Sequence, residues 1–231
     1  MKVAGLSYAK DLAADMNRDV QRIMVSDEYR ILFPGSALGA KKSSSTDIEA
    51  RRNSDTFEIA GRKGAYIGQG VGGPLTGKKI SCGVVDDPIK NSQEALSETT
   101  KNSIWNWYIS TFLTRLSKDG GHIVMATRWA VDDLSGRILA ENPNAKLLSF
   151  PAINEDGEAL IPELHPIDKL EETKRMMGDY FWSAMYQQSP KAAGGNVFKD
   201  EFIQHYLPKD LPAKFEKVIA SWDCTFKNNV S

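Results

Sequence analysis

A short apolar segment ends abruptly in two adjacent acids, Asp86 and Asp87, where the sequence reads Ile-Ser-Cys-Gly-Val-Val-Asp-Asp. A run of this length, bounded by Gly77 and Pro88, predicts a buried strand. Burial of a carboxylate costs free energy, so the pair must be solvated, bonded to a partner or bound to a cation. Two interpretations stay open: a cation site, or two acids that open a surface loop.

Composition bounds the class of protein. The chain has 231 residues, 41% of them hydrophobic, which suits a globular core. Its net charge is −1, so no overall field attracts it to nucleic acid or membrane. No apolar stretch reaches membrane-spanning length, and Cys82 and Cys224 lie far apart in no metal-spaced cluster. We therefore expect a cytosolic protein with no membrane partner.

Strand-like and helix-like segments alternate along the chain, which predicts an α/β fold with a mostly parallel sheet covered by helices on both faces. The pattern predicts strands at 3–8, 80–85, 122–126 and 146–150, a hairpin over 56–68, and helices at 11–25, 92–116, 132–141 and 168–177. The apolar face of the first helix would comprise Leu12, Met16, Val20, Ile23 and Met24. Gly120 and Gly121 would end the second helix, and Asp168 with Glu171 would cap the last one.

The composition changes after residue 190. Lys191 to Gly195 is small, contains glycine and lacks periodicity, which is typical of a linker. A further strand is predicted from Lys217 to Trp222, ending at Asp223. We therefore divide the chain into a domain at 1–190, a linker at 191–216 and the first strand of a second domain at 217–231.

Two glycine runs imitate phosphate-binding motifs. Gly68 to Gly73 matches a dinucleotide fingerprint, and Gly72 to Lys79 nearly matches a phosphate loop. Both motifs require a following helix, whose N-terminus binds the phosphate, but a strand is predicted after each run. Neither run is therefore interpreted as a phosphate cradle.

Function in a parallel sheet concentrates at the carboxyl ends of its strands. Two predicted strands are followed directly by polar residues, one by Asp86 and Asp87, the other by Thr127 and Arg128. If these strands are neighbours, a hydroxyl and a guanidinium lie near two carboxylates, an arrangement suited to sensing a terminal phosphate. Arg128 has an equally good alternative, a structural ion pair with Asp132 or Asp133.

An ordered set of motifs resembles one known family, the large terminase subunit of tailed bacteriophages, which packages DNA into the procapsid. The motifs are Val84-Val-Asp-Asp-Pro-Ile-Lys-Asn91, Trp105-Asn-Trp-Tyr108, Thr114-Arg-Leu116, Met125-Ala-Thr-Arg-Trp129 with Asp133-Leu134, Tyr186-Gln-Gln-Ser-Pro190, and Ser221-Trp-Asp223. The resemblance covers nearly the whole chain. It implies an ATPase domain of the P-loop type at 1–190, followed by a ribonuclease-H-like nuclease.

The resemblance also implies residue roles. Asp86 would match the acid that coordinates magnesium, and Asp87 the catalytic acid, usually Glu in related motors. Thr127 would lie in the motif that couples hydrolysis to motion, with Arg128 beside it. Asp223 would match the first metal-binding acid of the nuclease. Mg²⁺ and ATP are the implied cofactor and substrate.

Two departures from the family pattern stand out. No phosphate loop precedes Asp86, and the chain ends before the further carboxylates that a two-metal nuclease requires. We therefore expect an internal piece of a terminase, inactive alone, with an exposed or misarranged sheet edge where the missing strand would pair.

The resemblance implies partners and a location as well. Double-stranded viral DNA, the portal protein, the small terminase subunit and further copies in a ring are the implied partners, in the cytoplasm of a bacterial host. Two alternatives stay open: a catalytically incomplete remnant that only binds portal, small subunit or DNA, and an unrelated magnesium hydrolase with Asp86 and Asp87 as its site.

Overall fold

A single five-stranded sheet organises the computed structural model of this chain, in which residues 1–36, 38 and 50–191 are described. The strands are β1 (Lys2–Ser7), β2 (Thr56–Glu58), β3 (Ala65–Gly70), β4 (Ile80–Asp86) and β5 (Leu116–Met125). Their order is β2-β3-β1-β4-β5, and every neighbouring pair is parallel except β2 with β3. The predicted α/β class, the mostly parallel sheet and the hairpin are confirmed.

The described residues form helices, some of which pack on the two faces of this sheet. They are α1 (Lys10–Val25), α2 (Asp27–Leu32), α3 (Ser92–Leu96), α4 (Glu98–Trp107), α5 (Leu134–Glu141) and α6 (Ile167–Phe181), the last kinked at Gly178. None of the helices in the described part of the chain has the length and apolar character needed to span a bilayer.

Helix α1 lies on one face of the sheet, against β1 and β3. A Cβ on Gly68 would stand 2.9 Å from the carbonyl oxygen of Ala13, so glycine permits this close approach. The buried face of α1 consists of Ala13, Ala14, Asn17 and Met24, whereas Ile23 is 61% exposed. The predicted face was therefore partly wrong, because close packing favours small side chains over long ones.

Helices α4 and α5 cover the opposite face. Their buried side chains join Leu6 and Val85 of the sheet in the larger of two apolar clusters. The helical residues of that cluster are Ala95, Ile104, Trp107, Tyr108, Phe112 and Leu134. The aromatic side chains of this region are therefore core residues.

The single helix predicted over 92–116 is wrong, because the chain breaks it into several pieces. Ser97 has an extended backbone, and its hydroxyl accepts a hydrogen bond from the Thr100 N–H, which begins α4 anew. After α4 come a π-helical turn at Tyr108–Phe112 and a 3₁₀ turn at Leu113–Arg115.

Strand β5 begins earlier than predicted, since Gly120 and Gly121 lie inside it and do not end a helix. Ile80 of β4 pairs with Leu116, but Cys82, two residues on, pairs with Gly121. The extra residues of β5 between these two pairs form a bulge. Within the described residues β5 pairs only with β4, so its other edge is open. Ile123 and Met125, on the face that carries α1, are 57% and 51% exposed.

The strand predicted at 146–150 does not form, because no neighbouring strand among the described residues pairs with it. Leu148 is 78% exposed, and the main chain of Phe150 bonds instead to the side-chain amide of Gln188. The predicted cap of the last helix is also wrong: α6 begins after Pro166, without a side-chain cap.

The domain boundaries at 190 and 216 stay predictions, as do the linker and the nuclease strand. Residues 192–231, which include Asp223, lie outside the described residues.

Candidate functional site

Three strand ends converge on Asp87, the residue that directly follows β4. Its N–H donates to the carbonyl oxygen of Met125 in β5 at 3.0 Å, and its carbonyl oxygen accepts from the N–H of Tyr8, after β1, at 3.1 Å. Its Oδ1 accepts a hydrogen bond from the N–H of Thr127 at 3.0 Å. The sequence analysis made this meeting of β4 and β5 conditional on their being neighbours, which they are; the contribution of β1 was not anticipated.

The backbone at Asp87 is itself unusual, with φ of 41°. L-residues adopt this left-handed conformation rarely, and Asp and Asn tolerate it best. The turn directs the Asp87 carboxylate toward the end of β5, where it meets the Thr127 N–H. One carboxylate oxygen is thus committed to the protein, and no protein hydrogen bond to Oδ2 is found among the described residues.

Asp86 ends β4 in an intermediate environment, neither buried nor fully exposed. Burial first, and then the charge of Asp87, raise the pKa of Asp86 above its ordinary value. No hydrogen bond to its carboxylate is found within the described residues. The two adjacent acids therefore differ: Asp87 has a hydrogen-bond donor, and Asp86 lacks one.

Arg128 follows Thr127 but is bonded to protein. Its Nε donates to both carboxylate oxygens of Asp133, at 3.1 and 2.9 Å, and this ion pair is nearly buried. Asp133 also accepts from the N–H of Gly136 and so caps α5. Of the two interpretations of Arg128, the structure favours the ion pair with Asp133, because the guanidinium is already occupied.

A second ion-pair cluster, which sequence analysis missed, fixes the loop between β5 and α5. The Lys101 side chain is 6% exposed, and its Nζ lies 2.7 Å from both carboxylate oxygens of Asp132 and 2.6 Å from Glu98. Arg137 donates to the main-chain oxygen of Asp132 at 2.9 Å. Helix α4 and helix α5 are thus both tied to Asp132, close to Thr127.

The ligand types at the strand ends fit magnesium, which prefers oxygen donors and retains several waters. Asp86 and Asp87 supply carboxylate oxygens, and the hydroxyl of Ser7, at the end of β1, is buried without a partner. Among the described residues, no group of three or more His, Cys, Asp or Glu could enclose a metal. The residues therefore suit a cation shared with another ligand, such as a phosphate, better than a dedicated metal cage.

A small cavity lies beside Asp87. A cavity of about 10 Å³ is lined by Asp87, Pro88, Ile89, Ala126, Thr127, Trp129, Asp133, Leu134 and Ser135. That volume suits one water molecule, whereas ligand pockets measure several hundred Å³. This cavity is therefore too small for a nucleotide.

Comparison with solved structures gives a structural likeness, whereas comparison with families and curated proteins gives none. No model of a known protein family matches the chain, and no curated protein matches it. The crystal structure of the HK97 bacteriophage large terminase is similar, with a TM-score of 0.45 and 11% identity. The match covers 83% of this chain and 40% of that one, so the chain spans less than half of the terminase's length. At this level of likeness we transfer no residue role.

Proposed function

We propose that this chain is part of the motor of a phage large terminase subunit, which couples ATP hydrolysis to movement of viral DNA into the procapsid. The observation that carries the proposal is the hydrogen bond between Thr127 and Asp87, which joins the site acids on β4 to the segment after β5. The ordered motifs of the sequence support it independently.

The proposed roles follow from the surroundings of each acid. Asp86, which has no protein donor among the described residues, would hold the Mg²⁺ that accompanies ATP, and the ion would neutralise phosphate charge. Asp87, held by the Thr127 N–H, would orient the attacking water. Thr127 is hydrogen-bonded to Asp87, the acid that would orient water. Loss of the terminal phosphate on hydrolysis would therefore move the loop after β5 through this bond. Arg128 would stabilise that loop through Asp133.

A phosphate cradle would have to come from another segment. The open edge of β5, with Ile123 and Met125 more than half exposed, offers hydrogen-bonding groups and apolar contacts to an additional strand. We propose that a segment with a phosphate loop adds its strand here.

The experiment compares ATP turnover by the isolated chain with turnover by a chain extended upstream through a Gly-x-x-x-x-Gly-Lys-Ser/Thr segment. The isolated chain should not hydrolyse ATP, because the β and γ phosphates have no cradle. The extended chain should, with Asp86→Asn weakening Mg²⁺–ATP binding. Asp87→Asn should spare binding and slow hydrolysis about 100- to 10,000-fold.

Two results would contradict this proposal. The first is Mg²⁺-dependent ATP turnover by the isolated chain that Asp86→Asn abolishes, since the site would then be complete without a cradle. The second is an unchanged hydrolysis rate in the extended Asp87→Asn protein. Metal-dependent hydrolysis without preference for nucleotides would favour an unrelated magnesium hydrolase.

The nuclease part of the proposal depends on Asp223, which we propose as the first metal ligand of a two-metal site. Two-metal cleavage needs several carboxylates, so the 231-residue chain should not cut plasmid DNA with Mg²⁺ or Mn²⁺. A chain extended through a complete nuclease domain should cut, and Asp223→Ala should stop it. Undiminished cutting by that variant would remove Asp223 from the proposed site.

The open β5 edge also favours a second candidate, a protein that binds without catalysis. The proposed partners in either case are portal protein, small terminase subunit and double-stranded DNA, with further copies in a ring, in the host cytoplasm. Nucleotide titration of the extended chain separates the candidates. Tight ATP binding supports the motor, and its absence alongside retained partner binding supports the remnant.

A further inference from the structure

The hydroxyl of Ser7 is buried and has no hydrogen-bond partner. Ser7 is the last residue of β1 and is 0% exposed, and its Oγ is one of four unpartnered buried side-chain atoms among the described residues. Its carbonyl oxygen, in contrast, accepts from the Val71 N–H at 2.7 Å. Buried polar groups are nearly always paired, because an unpaired one retains its full desolvation penalty. The Ser7 hydroxyl therefore requires an explanation that its present contacts do not give.

The strand register places this hydroxyl beside Asp86. Ser7 and Asp86 are direct partners in the parallel pairing of β1 with β4. Partners in such a ladder point to the same face of the sheet, and neighbouring strands lie about 4.8 Å apart. The carboxylate without a donor and the hydroxyl without an acceptor are thus adjacent.

Two glycines flank Ser7 on this face of the sheet, one on its own strand and one on β3. Gly5 precedes Ser7 by two residues on the same face, and a Cβ there would collide with the hydroxyl of Tyr66, which lies across β1. Gly70, the partner of Ser7 on β3, lies under the first residue of α1. Ser7 therefore has no side chain beside it on β3, and its neighbour on β4 is Asp86.

We propose that Ser7 is a positioning residue for Asp86. When Asp86 holds a divalent cation, the Ser7 hydroxyl donates to one carboxylate oxygen and leaves the other directed at the cation. Metal-binding carboxylates are oriented by such hydrogen bonds, and loss of one commonly lowers metal affinity 10- to 100-fold. This inference rests on the proposed function, in which Asp86 binds Mg²⁺.

The test measures Mn²⁺ binding to the full 231-residue chain by electron paramagnetic resonance, with inorganic phosphate present to share the cation. Thermal unfolding of the cation-free protein is measured alongside. Asp86→Asn should abolish the site, and Ser7→Ala should lower Mn²⁺ affinity about 10-fold or more. Ser7→Ala should at the same time raise the cation-free Tm by about 2–4 °C, because it removes an unpaired buried hydroxyl. Lower affinity with higher stability would distinguish positioning from simple packing.

Ser183 supplies the matched control. It is also a buried serine, but its hydroxyl donates to the carbonyl oxygen of Ser189. Ser183→Ala should therefore lower the Tm and leave Mn²⁺ affinity unchanged. Ser7→Cys, whose thiol is larger than the hydroxyl and donates weakly, should bind Mn²⁺ as poorly as Ser7→Ala, which separates loss of the donor from loss of volume.

Three outcomes would overturn the inference. One is wild-type Mn²⁺ affinity in Ser7→Ala when Asp86→Asn abolishes binding, which leaves the proposed role of Asp86 standing. Another is a fall in Tm for Ser7→Ala equal to that of Ser183→Ala, which would make Ser7 a packing residue. The third is the absence of any Mn²⁺ site that depends on Asp86. The proposed ATPase activity has its own test, ATP turnover by the extended chain, so the two failures can be told apart.

Discussion

The carboxylate of Asp87 and the main-chain N–H of Thr127 are joined by a 3.0 Å hydrogen bond across the ends of β4 and β5. Because Asp87 also has φ of 41°, its side chain both holds the neighbouring strand end and occupies a position that most residues disfavour. Substitutions at Asp87 should separate these two contributions.

Asp87→Asn should leave the free energy of unfolding nearly unchanged, since the amide oxygen can still accept from Thr127 and Asn tolerates positive φ. Asp87→Ala should cost about 1–3 kcal/mol, because it loses the acceptor and strains the turn. Urea denaturation measures the free energy of unfolding of each variant. Asp87→Gly, which loses only the acceptor, should have a stability between those of the Asn and Ala variants. An Ala variant as stable as the Asn variant would contradict a stabilising role for the Asp87–Thr127 hydrogen bond.

The Lys101–Asp132 ion pair predicts which of its two members costs more stability when it is replaced. Lys101 is the buried member, whereas the Asp132 side chain is 45% exposed. Asp132→Asn should therefore cost more, about 1–3 kcal/mol, because it leaves a buried ammonium with one carboxylate fewer. Lys101→Met should cost less than about 1 kcal/mol, since its stem stays packed and Asp132 keeps Arg137. Urea denaturation at neutral pH gives the order, and the reverse order would contradict this account.

The same pair has a pH dependence. Burial alone would raise the pKa of Asp132, but the hydrogen bond and the charge of Lys101 outweigh it and lower the pKa. The stability that Asp132 contributes is therefore present above its ordinary pKa of 3.8 and is lost as pH falls from there toward its lower folded-state pKa. Asp132→Asn should reduce the loss of stability below pH 4, measured by denaturation at stepped pH.

The environment of His122 predicts a loss of folding stability at a pH closer to neutral. Its Nε2 lies 2.7 Å from the Tyr108 hydroxyl, and burial lowers the pKa of His122 below 6.5. The unfolded chain then binds the proton first, so stability is present above pH 6.5 and is lost as pH falls toward the folded-state pKa. His122→Gln should lose less stability between pH 7.5 and 5.5 than wild type. His165→Gln, at an exposed position, should behave as wild type.

Asp86→Asn should raise the Tm of the cation-free protein at neutral pH. Burial and the charge of Asp87 raise the pKa of Asp86, so its ionised form costs folding free energy above that pKa. Removal of the charge removes the cost. The difference in Tm between variant and wild type should shrink as pH falls through the folded-state pKa of Asp86. A lower Tm for Asp86→Asn at pH 7 would show that the carboxylate has a stabilising partner.

The sequence predicted elements well wherever hydrophobic periodicity is local. Strands β1 and β4 and helix α1 were placed within a residue or two, because their apolar patterns are short and bounded by glycine, proline or polar residues. The 92–116 helix failed because Ser97, a capping residue, interrupts a pattern that is otherwise helical. The segment 146–150 failed because a strand needs a neighbour, which its own residues do not reveal.

The site was predictable only in part for the same reason. The rule that parallel strands end at one edge of the sheet places Asp86, Asp87 and Thr127 together only if β4 and β5 are neighbours, and the sequence does not give strand order. The bond from Tyr8, the Lys101–Asp132 pair and the register of Ser7 with Asp86 depend on strand order and helix placement. Only one feature of the sequence pointed to Ser7: it lies near the end of a predicted strand, where side chains of a parallel sheet meet.

The π-helical turn at Tyr108–Phe112 gives the chain a place where its length can change. A π turn holds one residue more than an α turn, and the tighter 3₁₀ turn at Leu113–Arg115 follows at once. Removal of a single residue at the exposed Ile109 or Ser110 would convert the turn to ordinary α-helix without shifting the start of β5. Such a deletion would rotate Tyr108 and Phe112 relative to each other, so homologues that differ by one residue here should differ in the partner of His122 and share the same sheet.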